Sequence, residues 1–161
     1  MGIFSCRIWR YGSLSAQQEL RYVGKIFRGK SVNKPLKIYI AGPYTAATEA
    51  ERIKNVNAAI DASFVLFSQG HYPYIPHLTH FIDQRAKELN FKMEWGDYIR
   101  WDLVWLEFCD ALLYLASSKG ADLELKAAQK AGKKIFYSLD EIPSLDSERT
   151  ELALSAKLDM V

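Results

Sequence analysis

The chain's 161 residues suffice for one domain with a full core, and 49% hydrophobic with 25% charged residues is the balance of an ordinary globular protein. No apolar run approaches the ~20 residues that cross a bilayer, and Arg7, Arg10, Arg21 and Lys25 interrupt the N-terminal region where a signal-type apolar core would stand, so a cytoplasmic location is expected. Cys6 and Cys109 are far apart with no CxxC, which argues against a disulfide scaffold or a zinc site.

The net charge of +2 hides an asymmetry. Residues 1–34 carry seven of the 21 Lys/Arg and one of the 19 acids, leaving residues 35–161 at −4. This basic stretch reads as a solvated extension. Interleaved Trp9, Tyr11, Tyr22 and Phe27 keep an RNA-binding arm as the alternative.

A domain over residues 35–143 begins at Pro35. Leu36–Ala41 reads as a buried strand closed by Gly42-Pro43. A helix from Thr48 to Gln69 follows, capped by Thr45 or Thr48 and ended by Gly70. Ile53, Val56, Ile60, Phe64 and Phe67 are its predicted apolar stripe. Tyr72–Pro76 is a second strand, whose prolines favour a sheet edge. Residues 79–108 read as helices broken near Asn90. The second is apolar nearly all round, through Trp101, Leu103, Trp105 and Phe108, so it is expected to be buried within or between subunits. Asp110–Ala116 is a third strand, 120–131 a helix closed by Gly132, and Lys133–Tyr137 a fourth strand. Residues 144–161 form a tail, helical from Ser147 to Leu158, and a candidate interface segment. Strands alternating with helices predict an α/β domain: a single parallel sheet with helices on both faces.

The chemistry gathers after the first and third strands, where open α/β sheets bind ligands. Glu124 lies in the first turns of a helix, whose positive end should keep it ionised and nucleophilic. Taken alone it is an ordinary surface acid. Tyr39 stands at the end of the first strand, and parallel strands bring it toward Glu124. Asp102 sits among Trp101, Leu103 and Trp105, where desolvation and a second carboxylate would raise its pKa and suit it to deliver a proton. The plainer reading of Asp102 is a polar stripe capping a loop. Two carboxylates in unlike environments fit acetal chemistry, one attacking an anomeric carbon and the other handling the leaving group's proton. Ser118 and Gly120 form the turn after the third strand. Tyr44, Tyr72, Tyr74, Trp95, Tyr98 and Trp101 offer stacking surfaces. His77 and His80 lack a third ligand at zinc-like spacing and read as pocket-lining or structural. No GxGxxG, GxxxxGK[ST] or GxSxG is present.

Ile38-Tyr39-Ile40-Ala41-Gly42-Pro43, Trp101-Asp102-Leu103 with Cys109-Asp110-Ala111, and Ser118-Lys119-Gly120-Ala121-Asp122-Leu123-Glu124 together resemble the nucleoside 2-deoxyribosyltransferase family. That family includes relatives that hydrolyse deoxynucleoside 5'-monophosphates. The resemblance covers roughly residues 36–137. It implies a Rossmann-like (flavodoxin-like) sheet, no metal and no cofactor. It implies Glu124 as the nucleophile forming a deoxyribosyl-enzyme, Asp102 as proton donor and acceptor at the base, and Tyr39 as the residue orienting Glu124. Gly42, Pro43, Tyr44, His77, Tyr98, Ser118 and Gly120 are the expected substrate contacts. Deoxyribonucleosides and free bases are the expected partners, in a dimer-based homo-oligomer with shared sites and without membrane or nucleic acid. The chain departs from the hydrolase pattern after Gly42, where Pro43-Tyr44-Thr45 brings no Arg. Ser118 matches the hydrolases. On balance a nucleoside is favoured over a nucleotide, with the nucleotide hydrolase as the alternative. A third reading is a non-catalytic nucleotide- or RNA-binding module.

Overall fold

The computed structural model describes residues 34–145. The basic extension and the predicted tail helix lie outside the described residues. Four strands form one sheet: β1 (Lys37–Ala41), β2 (Tyr72–Tyr74), β3 (Ala111–Tyr114) and β4 (Lys134–Phe136). All pairings are parallel and the order is β2-β1-β3-β4. Four helices connect them: α1 (Glu49–Ser68), α2 (Thr79–Glu88), α3 (Trp95–Phe108) and α4 (Lys119–Lys130). The fold is a Rossmann-like α/β domain.

Local chemistry sets the element ends. Thr48 caps α1 in a reciprocal box with Glu51. Asn90, with φ at 52°, turns the chain between α2 and α3, a conformation asparagine tolerates better than most residues. Pro73 lies in β2, an edge strand as its missing N–H requires.

The period of two along β1 divides the core. Ile38 and Ile40 face one side with Ala111 and Leu113, covered by Ala59, Ala62 and Leu66 of α1 and by Ile142. Tyr39 and Ala41 face the other side with Leu112, covered by Leu106, Ala121 and Ala128 of α3 and α4. Tyr39 is therefore aimed at α4. It lies mid-strand, not at the strand end.

Two helix expectations are corrected. The buried face of α1 runs through Val56, Ala59, Ala62, Ser63 and Leu66, while Ile53, Phe64 and Phe67 are exposed. Small residues let the helix sit close to the sheet, so the largest apolar side chains mark the wrong face. Only Asp102 and Leu106 of α3 are buried, whereas Trp101, Val104, Trp105 and Phe108 are exposed. Among the described residues this helix is buried along one narrow face only.

The chain leaves β1 for β2 on one side and later returns to β3 on the other. That reversal opens a crevice beyond the carboxyl ends of β1 and β3, the usual ligand position in such sheets.

Candidate active site

A cleft of about 550 Å³ occupies this crevice. Gly42 after β1, Tyr44 and His77, Tyr98 and Asp102 on α3, and Ser118, Gly120 and Glu124 at the start of α4 all line it. Gly42 keeps one corner low: a Cβ there would already stand 3.4 Å from Leu115 and 3.5 Å from His77 Nε2.

Glu124 is placed by helical spacing. Ala121, Glu124 and Ala128 are the buried positions of α4, three and four residues apart. The alanines settle the helix against the sheet and carry the carboxylate inward with them. Tyr39, fully buried, donates from its hydroxyl to Glu124 Oε1 at 2.8 Å. Glu124 is 5% exposed, and burial pushes its pKa up to about 7, opposed by the Tyr39 hydrogen bond. The expectation that the helix end keeps Glu124 ionised is corrected. Glu124 is the sixth residue of α4, beyond the first turn where the dipole acts, and desolvation prevails. The Tyr39 hydroxyl is itself held well above its ordinary pKa by burial and by the neighbouring carboxylates.

Asp102 is 6% exposed, and its pKa is also pushed up to about 7, first by burial and then by the charge of Glu124. Its Oδ1 has no hydrogen-bond partner among the described residues. A buried acceptor without a donor is costly and marks a group awaiting one. Two carboxylates that disfavour ionising together share protons near neutral pH. One can act as a carboxylate while the other delivers a proton.

His77 is buried, and its Nε2–H donates to the carbonyl of Pro43 at 3.1 Å. That contact assigns the tautomer, because a carbonyl only accepts. Burial lowers the His77 pKa, so the ring is neutral, and Nδ1 is buried without a partner. Pro43 is not among the residues lining the cleft, and its carbonyl accepts from His77.

Ser118 accepts from the Ala121 amide at 3.2 Å as the N-cap of α4, and Gly120 is that helix's second residue, not part of a turn. Lys119 lines the same mouth, its Nζ 4.2 Å from the centroid of the Trp95 ring. Of the expected stacking aromatics, Tyr44, Trp95 and Tyr98 reach the cleft. Tyr74 instead stacks between Tyr39 and Trp105, at 5.5 and 5.6 Å. Trp101 lies in a separate apolar groove with Phe81, Leu89 and Phe91.

Among the lining residues that sequence reading did not assign to the site are Thr45, Thr79, Asp83, Met93 and Ile99. Asp83 comes from α2, accepting from the Tyr98 hydroxyl at 3.3 Å and from Lys87 at 2.7 Å. A lone acid on a polar helix gives no pattern signal. No group of three metal-ligating side chains occurs among the described residues, and no described helix is long and apolar enough to cross a membrane.

Fold and cleft define an α/β domain with a buried carboxylate pair at its topological switch point. Residues 36–138 match the family described as a domain of unknown function, DUF7768, and the chain belongs to that family. The match spans every residue of the site from Tyr39 to Glu124. No curated protein matches the chain.

Proposed function

We propose that the protein cleaves the N-glycosidic bond of 2'-deoxyribonucleosides through a covalent deoxyribosyl-Glu124 intermediate and passes the sugar to a second base, as a nucleoside 2-deoxyribosyltransferase. The observation that carries this reading is the buried Tyr39–Glu124 hydrogen bond at 2.8 Å facing a cleft shared with Asp102. Tyr39 engages Oε1 and leaves Oε2 as the attacking atom. Oε2 of ionised Glu124 forms the bond to C1' as the bond from C1' to the base nitrogen breaks. The electron pair leaves with the base, which takes the proton of Asp102. A second base, deprotonated by the Asp102 carboxylate, then attacks C1' and releases Glu124, with net retention at the anomeric carbon. Met93, Trp95 and Ile99 give the cleft apolar walls against which a base packs.

A second reading, hydrolysis of deoxynucleoside 5'-monophosphates, is favoured by Lys119 and the α4 N-terminus at the cleft mouth, which suit a phosphate. Base exchange between deoxyinosine and adenine, and between thymidine and cytosine, run with and without a 5'-phosphate on the donor, separates the two. Mass spectrometry of the protein quenched with donor alone should find one deoxyribosyl group on Glu124. An adduct on another residue, or no exchange and no base release from any donor, removes the proposal.

A further inference from the structure

We propose that one wall of the cleft, built by Tyr44, Asp83 and Tyr98, is a hydrogen-bond acceptor wall that selects bases carrying exocyclic amino groups over their oxo counterparts. This rests on the reading above that the cleft receives a nucleobase.

The direction of each hydrogen bond follows from its partner. His77 spends Nε2–H on the Pro43 carbonyl and its Nδ1 is buried, so this ring brings no donor to the cleft. The Tyr44 hydroxyl lies 3.1 Å from His80 Nδ1, and Glu49 Oε1 lies 3.6 Å from the other ring nitrogen. The carboxylate favours the ring proton on Nε2. Nδ1 then accepts from Tyr44, whose oxygen turns its lone pairs to the cleft. Tyr98 spends its hydrogen on Asp83. Thr79, also on this wall, spends its own on the Pro76 carbonyl at 2.7 Å. Asp83 is a carboxylate and can only accept while ionised. Thr45 is the one hydroxyl here that can act either way. Side-chain donors elsewhere in the cleft include Lys119, the Ser118 hydroxyl and the Trp95 indole N–H.

Helical spacing directs a base to this wall. Trp95, Tyr98 and Asp102 stand three and four residues apart on one stripe of α3, and all three line the cleft. A base whose glycosidic nitrogen lies at Asp102 extends its far edge one turn along α3, toward Tyr98 and Asp83. An amino group there meets acceptors with lone pairs to spare: each Asp83 oxygen takes one donor, from Tyr98 and from Lys87, and can take another. A carbonyl oxygen meets the same lone pairs and leaves them unpaired, and sites built for one hydrogen-bond pattern reject the other strongly.

Calorimetry of the full chain with adenine against hypoxanthine, and cytosine against uracil, tests this directly. The amino base of each pair should bind about tenfold more tightly or better. Asp83→Asn, which turns an acceptor oxygen into a donor, should narrow that ratio to about threefold or less. Tyr44→Phe should narrow it by a smaller factor and serves as the second variant should D83N lose its circular dichroism signature. Equal or reversed preference in the wild type, unchanged ratios in both variants, or no binding of any of the four bases overturns the wall. Amino preference without an adduct on Glu124 keeps the wall and removes the reaction. An adduct formed equally fast from deoxyadenosine and deoxyinosine keeps the reaction and removes the wall.

Discussion

The two faces of the sheet are built from the same strands and serve opposite ends. On the α1 face, Ile38, Ile40, Leu66 and Leu113 form an aliphatic cluster, and the one buried histidine beside it, His71, has both ring nitrogens engaged, by the Leu36 amide and the Pro143 carbonyl. On the α3/α4 face, the same strand β1 presents Tyr39, and two carboxylates are buried near it. One residue's shift in register would exchange the two faces. The first face supplies stability. The second gives up stability to hold ionisable groups away from water, as expected where pKa values are tuned for chemistry.

Removing one residue from each face should separate these roles. Glu124→Ala should lower base-exchange activity about 10⁴-fold or more while leaving the cooperative unfolding transition intact. Leu66→Ala should cost about 2–5 kcal/mol of stability, read from denaturant midpoints, and leave turnover per folded molecule near wild type. A Glu124→Ala protein that unfolds instead, or a Leu66→Ala protein that folds normally but fails to turn over, would erase the division between the faces.

The pH dependence of stability sharpens the same contrast. Burial raises the Glu124 pKa from 4.5 to about 7, so the folded state binds this proton more tightly than the unfolded state does. Stability from this group is therefore greatest below about pH 4.5 and falls as pH rises through about 7. The full cost above that range is on the order of 3 kcal/mol. Asp102 acts in the same direction, but the two titrate as a pair and their costs do not simply add. Glu124→Gln should therefore be more stable than wild type at pH 8 and close to it at pH 4.5, by parallel urea titrations. A variant equally destabilised at both pH values would place Glu124 among ordinary packing residues.

How much of this was legible in the sequence differs between the faces. Strand runs, the Asn90 break, Pro73 at an edge and the Thr48 cap are local signals, and local signals read correctly. Tyr39, Asp102 and Glu124 were legible because each breaks a local rule: a tyrosine in an aliphatic strand, and acids on apolar or strand-proximal helix positions. The packed face of α1 was not, because Phe64 and Phe67 dominate its periodicity while Ala59 and Ala62 make the contact. Asp83 was not, because only the placement of α2 beside Tyr98 gives it a role. The electrostatics of Glu124 reversed because the helix end is a local feature, whereas burial depends on the whole fold.

The smallest predicted effect tests the link between strand and carboxylate. Tyr39→Phe keeps the ring and its stacking on Tyr74 but deletes the donor to Glu124. A hydrogen bond to a carboxylate stabilises its charged form, so its loss should raise the Glu124 pKa further. The proposed reaction needs Glu124 ionised, which would set the rising limb of its pH–rate profile. That limb should move to higher pH by roughly half a unit to one unit, and activity at pH 7 should fall roughly two- to fivefold. A packing defect alone would lower activity at every pH and leave the limb in place. An unmoved limb would make Tyr39 a core aromatic and leave Glu124 oriented by α4 alone.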